Sequence, residues 1–274
     1  MARLGIIAGA GALPGRIISA CRDTGRDFCV LAFEGSADPA DYQDVPVQWI
    51  RMSRISGAFD AARAEGVDEL VMVGKIPRPT VFDLMRDARS AKFLAKVGTR
   101  MLGDNNILAA VVKELEETEG FRVIAPEKLL DDILAPEGPL GAVSPGEADL
   151  EDIRRGIAVA REIGRLDIGQ AAIVQNGTVL GVEGVEGTDR LIERCAEFVD
   201  PALPGGMLVK VAKPGQERRA DLPAIGANTV ANVARARLRG IAVEAGGALV
   251  VDREETVRAA DAAGIYVYGI RIAD

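Results

Sequence analysis

Apolar residues come in two rhythms along the first 130 positions. Short unbroken runs predict strands at 4–8, 28–33, 69–73 (ELVMV) and 121–124. Between them, apolar positions three and four apart predict helices at 14–24, 56–65, 81–101 and 106–118. Strand–helix alternation with nearly continuous apolar strands is the signature of a parallel sheet covered on both faces. The rhythm changes at 135–146, APEGPLGAVSPG, where three prolines and three glycines read as a linker.

Beyond it, helical spacing resumes at 148–163, and Asn176-Gly177 between two β-prone runs predicts a hairpin over 171–182. Asn-Gly suits a type I′ turn, whose two central residues need positive φ. Further helices are predicted at 188–198, 228–238 and 254–263, with strands at 207–212, near 241 and 249, and at 265–270. The expected fold is therefore α/β: a Rossmann-like N-terminal domain (1–134), a linker (135–148) and a mixed α/β C-terminal domain (149–274).

Composition narrows the chemistry. Of 274 residues none is histidine, so a Ser-His-Asp or Cys-His nucleophile and a His-rich zinc site are excluded. Acid–base work falls to other groups, and a metal among carboxylates would be a hard ion. A net charge of −8 argues against nucleic acid as a partner. Cys21, Cys29 and Cys195 lack C-x-x-C spacing and read as reduced thiols, in keeping with a cytoplasmic protein. No apolar run approaches the ~18 residues of a membrane span. The first 21 residues faintly copy a lipoprotein signal, but Pro14, Gly15 and Arg16 interrupt it.

Several loops could carry chemistry. Gly9-Ala10-Gly11 follows a strand and opens a helix, as phosphate-binding turns do, with Pro14 where the dinucleotide fingerprint has a third small residue. Glu34, ending the second strand, stands where a ribose-binding acid would. Lys75 and Arg78 follow the strand ELVMV among prolines, and Asp104-Asn105 opens a helix as cap or site. Glu183, Glu186, Thr188 and Asp189 lie in a Gly-rich loop suited to a metal, a sugar or a helix cap. The densest cluster is KVAKPGQERRADLPAIG at 210–226, which sets Lys210, Lys213, Gln216, Arg218 and Arg219 near Asp221. A carboxylate among fixed cations stays ionised and could hold a metal or orient water beside a phosphate; a surface salt-bridge cluster is the plain alternative.

These segments resemble the UDP-2,3-diacylglucosamine pyrophosphatases of the LpxI type. The resemblance runs through LGIIAGAGALP at 4–14, GKIPRP at 74–79, GDNN at 103–106, REIGRLDIGQAAIV at 161–174, VLGVEGVEGTD at 179–189 and KPGQERRADLPAIG at 213–226. It departs at Asp104-Asn105, where the family often has two acids, and at Lys75, where it often has Asn or Gln. The resemblance implies a hydrolase dependent on Mg²⁺ (or Mn²⁺) that splits a diacylated UDP-sugar into UMP and lipid X. It also implies two domains with the ligand between them, and an essential Asp that falls on Asp221.

On that reading Asp221, Lys213, Gln216 and Arg218 are catalytic. Gly9, Gly11, Arg78, Thr188, Lys210 and Arg219 bind substrate, and Asp221, Asp189 and Glu186 hold the metal. The two acyl chains imply transient contact with the cytoplasmic face of the inner membrane; a homodimer is left open. Two rivals stand beside it: a nicotinamide-dependent oxidoreductase, based on Gly9, Gly11 and Glu34, and a non-catalytic nucleotide-sugar or lipid carrier.

Overall fold

The computed structural model describes residues 2–51, 54–76, 92 and 104–272. Arg78 and, apart from residue 92, the helix expected at 81–101 lie outside them. The chain divides into two compact units, Met1–Asp131 with Glu217–Asp221, and Asp132–Gln216 with Leu222–Asp274.

The first unit begins with β1 (Arg3–Ala8), α1 (Leu13–Asp23), β2 (Phe28–Phe33), β3 (Val47–Ile50) and α2 (Ile55–Ala64). It continues with β4 (Val67–Val73), α3 (Asp104–Glu117) and β5 (Arg122–Ile124). The strands form one sheet in the order β3-β2-β1-β4-β5, and each pairing is parallel. In β2, five of the six residues of FCVLAF are buried, as a strand covered on both faces requires. Helix α1 starts with Pro14 in its first turn, where the missing N–H costs nothing. It buries Leu13, Ile17 and Cys21 with Pro14 and Ile18 along one stripe, and each buried large aliphatic contributes about 1.5–3 kcal/mol. Gly25, at φ +65°, ends the turn after it.

The second unit contains β6 (Gly138–Pro139), α4 (Glu147–Arg165), β7 (Ala171–Gln175), β8 (Thr178–Val182) and α5 (Thr188–Cys195). Then come β9 (Met207–Lys210), β10 (Ala224–Ile225), α6 (Ala227–Arg235), β11 (Gly240–Glu244), β12 (Leu249–Val250), α7 (Arg253–Ala263) and β13 (Tyr266–Ile270). Six strands form a mixed sheet, β6-β13-β11-β9-β7-β8, and β10 pairs with β12. Strands β9, β11 and β13 run parallel, whereas β7, β8 and β6 pair antiparallel with their neighbours. Alternation along β9 fills two cores: Leu208 joins Leu191, Val230 and Ile241 on one face, and Met207 and Val209 join Ile153 and Ala160 of α4 on the other. Gly156 is what lets α4 lie this close, because a Cβ there would overlap the Val209 side chain.

Residues 135–148, whose prolines and glycines read as a linker, fall inside the second unit. Ala135 is buried, its N–H bonds to the Ala248 carbonyl at 2.9 Å, and β6 pairs with β13. Proline is tolerated in β6 because it is an edge strand.

Candidate active site

In the first unit, β1 is flanked by β2 on one side and β4 on the other, so the strand order turns at its carboxyl end, the usual position of a ligand crevice in an open parallel sheet. The Gly9–Gly11 turn sits there and is pinned to the loop after β4. The Gly9 N–H donates to the Val73 carbonyl at 2.9 Å, and Ala10 and Lys75 exchange two backbone hydrogen bonds, each 2.9 Å. Ser36 Oγ accepts from the Ala10 N–H at 3.2 Å and donates to the Lys75 carbonyl at 2.5 Å. Gly9 is therefore needed for close approach of two backbone segments, since a Cβ would overlap the Lys75 carbonyl. Gly11 is different: it is exposed, its φ is +110°, and no atom stands within 4 Å of where its Cβ would be. It opens onto the first turn of α1, whose N-cap residue Ala12 offers no side-chain cap. Glu34 is committed to Arg51, 2.5 Å away.

In the second unit, three sequence segments meet at one end of the sheet. Because β7 runs antiparallel to β9 and β8 antiparallel to β7, the exit of β9, the entry of β7 and the exit of β8 lie together. Lys213 Nζ is 2.6 Å from Asp167 Oδ1, and the Lys213 N–H donates to Gln216 Oε1 at 2.8 Å. Gln216 Nε2 donates to Gln170 Oε1 at 3.3 Å, and the Gln170 N–H donates to Glu183 Oε2 at 2.9 Å. Thr188 Oγ1, in the first turn of α5, donates to Glu183 Oε1 at 2.7 Å. Lys213, Gln216 and Glu183 are all buried, so each polar group needs the partner it has. Lys210, buried at the end of β9, donates from Nζ to the Ala224 carbonyl at 3.1 Å. Lys213 thus meets a carboxylate, Lys210 a carbonyl and Thr188 a carboxylate. Asp167, Gln170 and Glu183 complete the network; Glu183 stands in the Gly-rich loop already singled out, whereas Asp167 and Gln170 lie in a helix-to-strand loop, where a polar residue gives no signal of burial.

The stretch Glu217–Asp221 belongs to the first unit. The Glu217 carbonyl accepts from both the Ala220 N–H (3.1 Å) and the Asp221 N–H (3.0 Å), closing one tight turn. Arg219 grips the Glu217 carboxylate with Nε and Nη2, each at 2.8 Å, and reaches Glu116 Oε1 with Nη1, also at 2.8 Å. The hydrogen bond from Arg219 holds the Glu217 carboxyl below the usual carboxylate range, against the opposing effect of burial. The same contacts push the Arg219 guanidinium further up. Arg219, expected to bind phosphate, is thus flanked by two carboxylates, while Arg218 is exposed and Asp221 is half-buried.

Glu186 and Asp189, expected to share a metal with Asp221, each have a side-chain partner within the second unit. Glu186 accepts from Arg194 Nη2 at 3.0 Å, and its carboxyl is held low by its own backbone N–H and by Arg194. Asp189 Oδ1 accepts from Asn232 Nδ2 at 2.8 Å. Among the described residues no three His, Cys, Asp or Glu side chains group closely enough to hold a metal ion. Asp104 and Asn105 lie in the first turn of α3.

Two α/β units, one with an all-parallel sheet and the other with a polar network where its strands and loops converge, define a histidine-free α/β protein of two units. Its two halves match, in tandem, the LpxI N-terminal domain over residues 3–133 and the LpxI C-terminal domain over 136–268. The UDP-2,3-diacylglucosamine pyrophosphatase LpxI of Caulobacter vibrioides is 42% identical over 277 aligned residues, covering 98% of each chain. The chain belongs to the LpxI family. Among solved structures, the UDP-glucose 4-epimerase of Thermus thermophilus with NAD aligns over 53% of this chain and 41% of its own, at 17% identity and a TM-score of 0.29. Leucoanthocyanidin reductase of Vitis vinifera with NADPH aligns over 60% and 45%, at 14% identity and a TM-score of 0.27.

Proposed function

We propose that the protein is a hydrolase that cleaves the pyrophosphate bond of UDP-2,3-diacylglucosamine, releasing UMP and 2,3-diacylglucosamine 1-phosphate (lipid X) for lipid A synthesis. The observation that carries this reading is 42% identity to the Caulobacter vibrioides pyrophosphatase over 98% of both chains. The absence of histidine agrees with it, because pyrophosphate hydrolysis needs charge neutralisation and an oriented water rather than an imidazole nucleophile.

Asp221 is the catalytic group. Its carboxylate orients the attacking water and takes its proton as the water oxygen bonds to phosphorus and the bond from phosphorus to the bridging oxygen breaks. Arg218, exposed on the same turn, meets the phosphate oxygens. Lys213, Gln216 and Thr188 belong to the buried polar network of the second unit. Mg²⁺ or Mn²⁺, when bound, supplies charge neutralisation on the phosphate oxygens. Asp221 and the substrate's own phosphates fit it as donors, since Mg²⁺ is commonly held by one or two carboxylates plus substrate phosphates. Glu186 and Asp189 are further candidate donors, held in place by Arg194 and Asn232.

The first unit is Rossmann-like: its all-parallel order β3-β2-β1-β4-β5, with a glycine turn after β1, supports that assignment. Gly11 leaves open the N-terminus of α1, where backbone N–H groups can meet a nucleotide phosphate. The enzyme works at the cytoplasmic membrane face, where its diacylated substrate resides; among the described residues no helix is long and apolar enough to cross a membrane. Incubation with UDP-2,3-diacylglucosamine and Mg²⁺ should release UMP and lipid X in equal amounts, and EDTA should stop it. Retention of intact substrate without turnover would instead make the protein a carrier.

A further inference from the structure

We infer that Arg219 is a positioning residue, which fixes the turn carrying Asp221 to helix α3 through Glu116, rather than a ligand of the substrate's phosphates. The inference rests on the catalytic reading of Asp221 above.

The anchor can be followed atom by atom within the first unit. Glu116 lies near the end of α3, and its Oε1 accepts from the Val123 N–H of β5 at 3.2 Å, so its carboxylate is tied to the sheet. The same oxygen takes Arg219 Nη1 at 2.8 Å. Arg219 Nε and Nη2 then hold both oxygens of Glu217, and Glu217 Oε1 also accepts the Arg219 N–H at 3.1 Å. The carbonyl of that same Glu217 accepts the Asp221 N–H. Ala220, between Arg219 and Asp221, packs against the core that contains Leu115 and Phe121. Sheet, Glu116, Arg219, Glu217 and Asp221 form one continuous path.

The charges argue the same way. One guanidinium held between two carboxylates already has its charge balanced by them, so Arg219 has less to offer a pyrophosphate than its exposed neighbour Arg218. A planar fork that contacts two carboxylates through three of its nitrogens suits a spacer of fixed geometry, and lysine cannot reproduce it. Small displacements of a catalytic group are costly: about 1 Å can cost ~100-fold in rate. The effect should therefore fall on kcat.

The test is the steady-state kinetics of Arg219→Lys and Glu116→Gln on UDP-2,3-diacylglucosamine, each alone and with Asp221→Ala. Positioning predicts that each single change lowers kcat about tenfold or more with KM within about threefold, the pattern of an interaction felt in the transition state. In the Asp221→Ala background neither should lower the residual rate further, because the path ends at Asp221. Glu116→Gln is the more telling variant and the less disruptive. If Arg219 bound phosphate, weakening its carboxylate partner would release it toward substrate, and KM would fall with kcat unchanged. That result, a rise in KM alone for Arg219→Lys, or no change in either constant would overturn the inference. Substantial turnover by Asp221→Ala alone would overturn the reading of Asp221 instead, so the two failures are distinguishable.

Discussion

Lys213 Nζ and Asp167 Oδ1 stand 2.6 Å apart with 8% and 17% of their side chains exposed, joining the loop after β9 to the loop before β7. Breaking a buried pair from one side leaves an uncompensated charge, which typically costs about 3–5 kcal/mol. Asp167 sits at φ +54°, a conformation Asn also tolerates, so Asp167→Asn removes the charge without adding backbone strain. With the amide still able to accept one hydrogen bond, Asp167→Asn should lower unfolding free energy by about 2 kcal/mol, and Lys213→Ala should cost less than the sum of its lost contacts when added to it. Urea denaturation of the two single variants and the double variant measures both; additive losses would mean the pair is uncoupled.

The two glycines after β1 should respond differently. Gly9→Ala drives a methyl into the Lys75 carbonyl, and overpacking against backbone costs about 1–3 kcal/mol or more. Gly11→Ala meets open space and carries only the strain of φ +110°, on the order of 1–3 kcal/mol. Thermal melts should place Gly9→Ala as the less stable. Gly11→Ala should also raise KM for the nucleotide substrate, an effect that an ordinary β–α turn would not produce.

Acid should weaken the Glu217 turn. Contact with Arg219 depresses the Glu217 carboxyl below its ordinary 4.5 in the folded chain, so the unfolded chain takes up the proton first as pH falls. The stabilisation is present above about pH 4.5 and is lost as pH drops through the folded value. Glu217→Gln should therefore be less stable than the parent at pH 7, and the two should converge in acid. A constant gap from pH 7 to pH 3 would exclude that origin.

The thiols should be silent in the native protein. Burial pushes the Cys29 thiol up to about 11, and Cys21 and Cys195 are likewise raised by burial. Only about one Cys29 in a thousand is then thiolate at pH 8, and the thiolate is the reactive form. An aromatic disulfide reagent should label none of the three at pH 8 and all three in guanidinium.

Much of the fold was legible in the chain. The strands 28–33 and the hairpin 171–182 fall where β2, β7 and β8 stand, because long apolar runs and Asn-Gly are strong local signals. The short edge strand β3 (VQWI) was missed, since it alternates weakly and buries only Ile50. β6 and β10 were missed because they are two residues long and exist through their partners, β13 and β12. The site was legible as segments but not as pairings. Sequence grouped the cations at 210–219 around Asp221, whereas the fold assigns Lys213 to Asp167 and Arg219 to Glu116, 46 and 103 positions away. Spacing along the chain carries no information about contacts at such separations.

The most direct measurement is the rate of UMP release from UDP-2,3-diacylglucosamine by Asp221→Ala beside the parent, with melting temperatures taken on the same samples. Asp221 is half-buried and its N–H closes the turn through the backbone, so truncation should leave the fold intact. The expected result is a folded protein, melting within a few degrees of the parent, whose kcat has fallen by about three orders of magnitude or more, some 4 kcal/mol of lost transition-state stabilisation. A folded variant that keeps kcat within about tenfold of the parent, a loss of only 1.4 kcal/mol, would contradict the assignment of Asp221 as the catalytic group.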